Sequence, residues 1–171
     1  KRNEDGTWSK PEPFKILNSP AYEGHITSNE EGDVFVFTSD RSGFGGVDLF
    51  SITKDLKGKW GKPVNLGDLI NTEYDEDSPF IDSDGSLFFS SKGHRGMGGH
   101  DIFKSEYNSE KNEWGAPKNV GYPINTADDD LFFVMSGDGK HGYYSSFKDG
   151  GRGEKDLYIV DMDPTIKEEV V

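Results

Sequence analysis

The sequence contains no cysteine, few basic residues and no long apolar run. Without cysteine the chain can form neither disulfides nor thiolate metal sites, although this does not assign a cellular compartment. The 19 Lys and Arg residues against 32 Asp and Glu residues give a formal net charge of −13 at pH 7. This charge repels phosphate backbones and anionic lipid surfaces, so we expect no nucleic-acid partner. No apolar stretch approaches the roughly 18 residues that a membrane-spanning helix requires, so we also expect no direct membrane span.

Helical patterning is missing as well. No window places apolar residues at helical spacing over about ten positions. The chain is only 32% hydrophobic and is interrupted by 22 glycines and 8 prolines, yet its 13% of aromatic residues is too much for a disordered chain. Together these features predict an all-β fold of short strands joined by many turns.

What the sequence does contain is an internal repeat. Five kinds of marker recur in constant order at intervals of about 53 residues, which indicates a repeat architecture. They are the tryptophans Trp8, Trp60 and Trp114; the pairs Asn18-Ser19, Asn71-Thr72 and Asn125-Thr126; the acids Glu23, Glu76 and Asp130; the turn glycines Gly32, Gly85 and Gly139; and the aspartates Asp48, Asp101 and Asp156. We interpret the tryptophans, the turn glycines and the aspartates as structural anchors of the repeat.

Each unit supplies four candidate strands, which in the middle unit cover 78–81, 87–91, 101–107 and 114–120. A four-stranded unit of about 40 to 50 residues, repeated without a helix, is typical of a β-propeller blade. The sequence therefore predicts an all-β propeller of about three four-stranded antiparallel blades. Since propellers typically have about 4–8 blades, we expect these units to be part of a larger propeller.

The markers also predict the boundaries of the units. We expect an outer strand of a preceding blade at 1–20, blades at 21–72 and 73–126, and an incomplete last blade at 127–163. Residues 164–171 are expected to form a linker to a following domain or a weak outer strand.

The repeat motifs resemble those of a known class of bacterial propellers. The pattern S-x-R-x-G-x-G-G-x-D-[LI]-[FY] fits 39–50 and, more loosely, 91–103 and 145–158, while W-x-x-P-x-N-[LV]-G followed by I-N-T fits 60–72 and 114–126. Both are similar to the WD-type, TolB-like β-propeller repeats of OmpA-family, peptidoglycan-associated outer-membrane proteins, including a component of type IX secretion and gliding machinery. The resemblance implies a periplasmic, outer-membrane-associated scaffold. The partners it implies are other envelope proteins and, through a neighbouring domain, peptidoglycan.

Glycine-rich loops precede the third strand of each unit, beginning with RSGFGGVDLF at 41–50. Phosphate-binding glycine loops join a strand to a helix, whereas these loops join two strands. We therefore predict wide hairpins in which glycines adopt positive φ angles and the closing aspartate accepts backbone N–H groups. Arg41, Arg95 and Lys148 are the expected ionic partners of these aspartates.

Acidic residues are the main candidates for a binding site. Glu23, Glu76 and Asp130 precede the first strands, which line the channel of a propeller, and a hard cation there is one alternative. The other alternative is solvated loops capped by Asx turns. Asp82-Ser83-Asp84-Gly85 resembles the start of a calcium loop but lacks its later ligands. We predict no metal site and no cofactor.

The sequence shows no pattern typical of catalysis. His25, His94, His100 and His141 occupy non-equivalent repeat positions without a nucleophile motif, and we expect them to face solvent. We predict no enzymatic activity and a non-catalytic module for protein or envelope-component binding and scaffolding. The alternatives are part of a glycan-processing propeller enzyme, or a calcium-stabilised adhesion propeller.

Overall fold

Short β-strands form the whole regular structure of the computed structural model, which describes residues 2–162. Over that range it has thirteen strands and no helix, and hence no helix that could cross a membrane. The first sheet contains β1 (Glu23–Ser28), β2 (Val34–Ser39), β3 (Asp48–Thr53) and β4 (Val64–Asn65). The second contains β5 (Glu76–Ile81), β6 (Leu87–Ser91), β7 (Asp101–Ser105) and, after the hairpin of β8 (Tyr107–Asn108) and β9 (Glu113–Trp114), β10 (Lys118–Asn119). The third contains β11 (Leu131–Met135), β12 (His141–Ser146) and β13 (Asp156–Asp161).

Every strand pair is antiparallel, and within each sheet the strands lie in chain order. In the middle unit the structure confirms the first three predicted strands to within two residues. The predicted fourth strand at 114–120 is wrong in extent, since only Lys118 and Asn119 pair with β7, while Trp114 pairs with Tyr107 in the hairpin before it. Pro117 separates the two pairings because it has no N–H to donate to a ladder.

Two terminal segments differ from the rest. Within 2–20, where an outer strand was predicted, the only pairing is an isolated bridge between Arg2 and Trp8. The predicted linker or weak strand at 164–171 lies outside the described residues.

The turn between the first and second strands requires glycine. Gly32, Gly85 and Gly139 have φ angles of 66°, 81° and 70°, the left-handed region that other residues rarely adopt. Each donates its N–H to the carbonyl three residues earlier. The repeat glycines are therefore explained by backbone geometry.

The sheets pack face to face through the same strand positions. Val36 and Leu49 on one face of the first sheet pack against Phe89 and Phe103 of the second. On the opposite face of the second sheet, the side chains that follow the same pattern pack against the third: Phe88 and Ile102 contact Phe133 and Tyr144. Burying each such side chain contributes about 1.5–3 kcal/mol, so these two interfaces form much of the core. A third buried cluster contains Leu17, Phe37, Phe50 and Ile52 of the first unit.

The third sheet leaves the corresponding face uncovered. Tyr143 and Leu157 occupy the positions of Phe88 and Ile102, yet they are 44% and 87% exposed, and Ile159 is 62% exposed. Tyr143 pairs with Ile159 and lies beside Val134, so the exposed residues form one continuous apolar row across the sheet. We refer to Val134, Tyr143, Leu157 and Ile159 as the open face.

The tryptophans hold hairpin ends. Trp60 stacks on Phe35 with ring centroids 4.9 Å apart, and Trp114 donates its indole N–H to the carbonyl of Gly85 at 3.2 Å. Trp8 makes the equivalent hairpin bridge but is 75% exposed, because no sheet of the described residues lies beneath its ring. The prediction of three equivalent anchors therefore does not hold for Trp8.

Candidate functional site

The aspartate that closes each glycine loop binds the backbone of that loop. Asp48 accepts hydrogen bonds from the N–H groups of Phe44 at 2.6 Å and Gly45 at 3.0 Å, and from the Asn65 amide at 2.7 Å. Asp101 and Asp156 accept two backbone N–H groups each in the same manner. The predicted hydrogen bonds from the loop backbone to the aspartates are therefore present, while the role of the aspartates as anchors of the repeat stays a prediction.

The glycines of the first two loops serve a different purpose from the predicted one. None of them has a positive φ, whereas Gly150 of the third loop does, at 85°. A Cβ atom on Gly43 would lie 1.7 Å from the Asp48 carboxylate, and one on Gly96 would lie 1.9 Å from that of Asp101. Glycine is needed here because the backbone approaches the aspartate too closely for any side chain.

The predicted ionic partners of the aspartates are wrong. Arg41 instead donates to Glu23 at 2.8 Å and to the carbonyl of Leu17 at 2.7 Å. Lys148 donates to the carbonyl of Pro123 and the Tyr144 hydroxyl, both at 2.6 Å. Among the described residues no ion pair joins the three aspartates to a base. At least one oxygen of each aspartate accepts backbone N–H groups instead.

The acids predicted to line a channel bind the connection that precedes their own strand. Glu76 accepts the Thr72 N–H at 2.7 Å, the Thr72 hydroxyl at 2.8 Å and the Ser91 hydroxyl at 2.6 Å. Asp130 accepts the N–H and hydroxyl of Thr126 at 2.6 and 3.1 Å. Both acids are fully buried. They therefore fasten the crossover between two sheets.

Burial controls the ionisation of these acids. It raises the pKa of Glu76 and of Asp130 above their ordinary values, although the hydroxyl and N–H donors oppose the shift. Burial also acts on Glu23, but there the hydrogen bonds from Ser19 and the charge of Arg41 outweigh it and lower the pKa. The three equivalent acids thus sit in two electrostatic environments.

No group of three or more His, Cys, Asp or Glu residues within 2–162 is arranged to hold a metal ion. The Asp82–Gly85 segment forms a turn in which the Gly85 N–H donates to the Asp82 carbonyl at 2.9 Å. A channel-lining role for Glu23, Glu76 and Asp130 stays a prediction.

Two buried asparagines form bonds that the sequence did not reveal. Asn71 accepts the Leu49 N–H at 2.8 Å and donates to the Leu49 carbonyl at 2.9 Å. Asn125 makes the same pair of bonds with Ile102, at 2.8 and 2.9 Å. Each amide thereby pairs the backbone N–H at the start of β3 or β7, and it shares the carbonyl of the same residue with the N–H of Leu66 or Val120. The recurring I-N-T motif was the available signal, but it does not indicate which backbone the asparagine binds.

Together, each asparagine and the acid five residues later hold the crossover at both ends. We call Asn71 with Glu76, and Asn125 with Asp130, the crossover latches. Asn71 also donates to Asn65 Oδ1 at 2.8 Å, which ties the latch to β4. The latches join the third strand of one sheet to the first strand of the next.

Histidines add further contacts between units. His25 is exposed, as expected, whereas His94, His100 and His141 are half-buried, contrary to the expectation that they face solvent. His25 Nδ1 of β1 lies 2.6 Å from Asp77 Oδ1 of β5. His94 Nε2 lies 2.9 Å from the carbonyl of Ile70.

His100 contacts the connection between the second and third sheets. Its backbone N–H donates to Asp129 at 2.9 Å, and its ring Nδ1 lies 3.1 Å from the same oxygen. The backbone N–H of His100 lowers the pKa of Asp129 to about 2, with Lys155 acting in the same direction. Asp129 is therefore ionised at neutral pH.

Comparison with known proteins bears on the fold. No protein-family model and no curated protein sequence matches the chain. The solved structures that resemble it include the crystal structure of TolB from Acinetobacter baumannii, with a TM-score of 0.55 and 15% sequence identity. The likeness covers 82% of this chain but 30% of the TolB chain. The likeness shows that the chain has a TolB-like all-β fold. The chain spans less than a third of the length of TolB.

Replacing Asn125 with Ala should lower the free energy of unfolding by about 1–3 kcal/mol. The buried N–H of Ile102 would lose its partner, whereas the Ile102 carbonyl would keep the N–H of Val120 at 3.1 Å. Urea denaturation provides the measurement. Asn18→Ala is the matched control, because Asn18 is the repeat-equivalent residue but is exposed. Equal losses in the two variants would contradict the latch.

Proposed function

We propose that the three sheets are successive blades of a larger β-propeller that acts as a non-catalytic binding and scaffolding module in the bacterial envelope. The observation that carries this proposal is the repeated packing of one sheet face on the next. Val36 with Leu49, and Phe88 with Ile102, are covered by the following sheet, whereas the equivalent Tyr143 and Leu157 are exposed.

The open face has the composition of an interface. Four apolar side chains lie in register on it, and large exposed apolar patches usually mark contact with another protein surface. A further blade would bury this face as the second sheet buries that of the first. The TolB-like fold supports the same arrangement, since the chain matches 30% of a longer structure.

The use of the acids favours binding over catalysis. Carboxylate catalysis needs an acid and a base in unlike surroundings. Glu23 differs from Glu76 and Asp130 in the direction of its pKa shift, but all three carboxylates accept the N–H of the serine or threonine four residues earlier. Their shared role is to fasten crossovers.

The envelope location is inferred from the resemblance of the repeat motifs to OmpA-family, peptidoglycan-associated proteins and type IX secretion components. We infer the periplasmic face of the outer membrane as the site of action. Other envelope proteins are the proposed partners, with peptidoglycan contacted through a neighbouring domain.

Fractionation, hydrolysis and chelation of the full-length protein test this function. We expect it in the outer-membrane fraction, cross-linked to envelope proteins, with no cleavage of glycan substrates and no change of Tm in EDTA. Glycan cleavage would favour the glycan-processing enzyme. A fall in Tm that calcium reverses would favour the calcium-stabilised adhesion propeller.

The open face should make the 171-residue chain associate in solution. Replacing Leu157 and Ile159 with Asp should reduce the association seen by sedimentation velocity, because the charges oppose burial of the face. Leu56→Asp is the control, since Leu56 is fully exposed in a hairpin away from the sheet. A wild-type chain that stays monomeric and melts cooperatively would contradict the larger propeller.

A further inference from the structure

A cleft lies between the first and second sheets at the strand ends opposite the glycine loops. Its volume is about 360 Å³, enough for one or two side chains rather than a folded domain. The β1–β2 turn, the β5–β6 turn and the β8–β9 hairpin surround it. Val34 and Ile81 are its apolar residues.

One wall of the cleft is aromatic and fixed in place. The rings of Tyr107 and Trp114 have centroids 5.3 Å apart. The Tyr107 hydroxyl donates to Asn112 at 2.7 Å, and the Trp114 indole N–H donates to the carbonyl of Gly85. Both polar groups are used internally, so these residues offer the cleft chiefly their π-faces.

The other walls carry negative charge. The cleft is lined by Glu30, Glu31, Asp82 and Asp84, and by no Lys or Arg of residues 2–162. One of the four carboxylates, Asp84, is paired with Lys104 at 3.3 Å. Carboxylates beside aromatic faces are the surroundings that favour an ammonium or guanidinium group.

In the first unit a lysine of the same chain lies over the ring of the equivalent tryptophan. Lys54 places its ammonium 4.6 Å from the centre of the Trp60 ring and donates to the carbonyl of Gly32 at 2.9 Å. In the second unit Tyr107 stands at the position of Lys54, as the pairings Lys54–Trp60 and Tyr107–Trp114 show. The chain therefore supplies a cation to Trp60 from its own repeat position but supplies none to Trp114 from the equivalent one.

We propose that this cleft binds a lysine or arginine side chain of a basic segment in a partner protein. The inference deepens the proposed binding function and rests on it. The bound cation lies in the cleft against the aromatic wall of Tyr107 and Trp114, with Glu30 and Asp82 as its counter-charges. The small volume selects an extended segment that inserts one side chain.

Titration with tetralysine, followed through the Trp114 indole N–H signal in NMR spectra, tests the proposal. We expect the Trp114 signal to shift while those of Trp8 and Trp60 do not. The double variant Glu30→Gln with Asp82→Asn should weaken binding about tenfold, since it removes two counter-charges. Asp68→Asn with Glu73→Gln is the control, because it changes the net charge equally at exposed sites away from the cleft.

Tyr107→Lys is the sharpest variant, because it gives the second unit the internal cation of the first. It should abolish binding of tetralysine while the chain still melts cooperatively. Wild-type affinity for tetralysine in this variant, or equal weakening by the charge-matched control, would contradict the proposal that the cleft binds a cation. If spermidine bound as tightly as tetralysine, the proposal that the ligand is a protein segment would be wrong. Glycan cleavage by the full-length protein with intact tetralysine binding would reject the proposed function and leave the cleft standing.

Discussion

The paired hydrogen bonds between a buried asparagine side chain and the third strand of the preceding sheet are the contacts on which the repeat depends. Asn71 and Asn125 accept the N–H groups of Leu49 and Ile102, and they share the carbonyls of these residues with the N–H groups that directly follow the two-residue strands β4 and β10. Without the asparagines the two buried N–H groups would be unpaired, which costs more than a hydrogen bond gains. The asparagine therefore explains how such short fourth strands are tolerated.

The acid of each latch connects the strand edge that the asparagine pairs to the following sheet. Glu76 and Asp130 hold the threonine that follows the asparagine. Glu76 is also the first residue of the next sheet, and Asp130 directly precedes it. The crossover is thus fixed at both ends, and the apolar faces of neighbouring sheets meet in one register. The packing of Val36 and Leu49 on Phe89 and Phe103 follows from that register.

The sequence predicted the elements whose signals are local. Short segments rich in aromatic and β-branched residues located β6 and β7, and turn glycines such as Gly85 marked residues with positive φ. Contacts between segments were harder to predict. Arg41 was assigned to the nearby aspartate, but it bonds with Glu23, which is 18 positions away in sequence and reached only through the β1–β2 pairing. The target of Asn71, 22 positions away, was unpredictable for the same reason.

Amide hydrogen exchange of Leu49 and Ile102 tests the central role of the latches most directly. Their N–H groups donate to asparagine side chains rather than to a neighbouring strand. If the latches hold the sheets together, these amides will exchange as slowly as those in the middle of β2 and β6, through global unfolding. Exchange as fast as that of exposed loop amides, while the amides of β2 and β6 remain protected, would contradict the account.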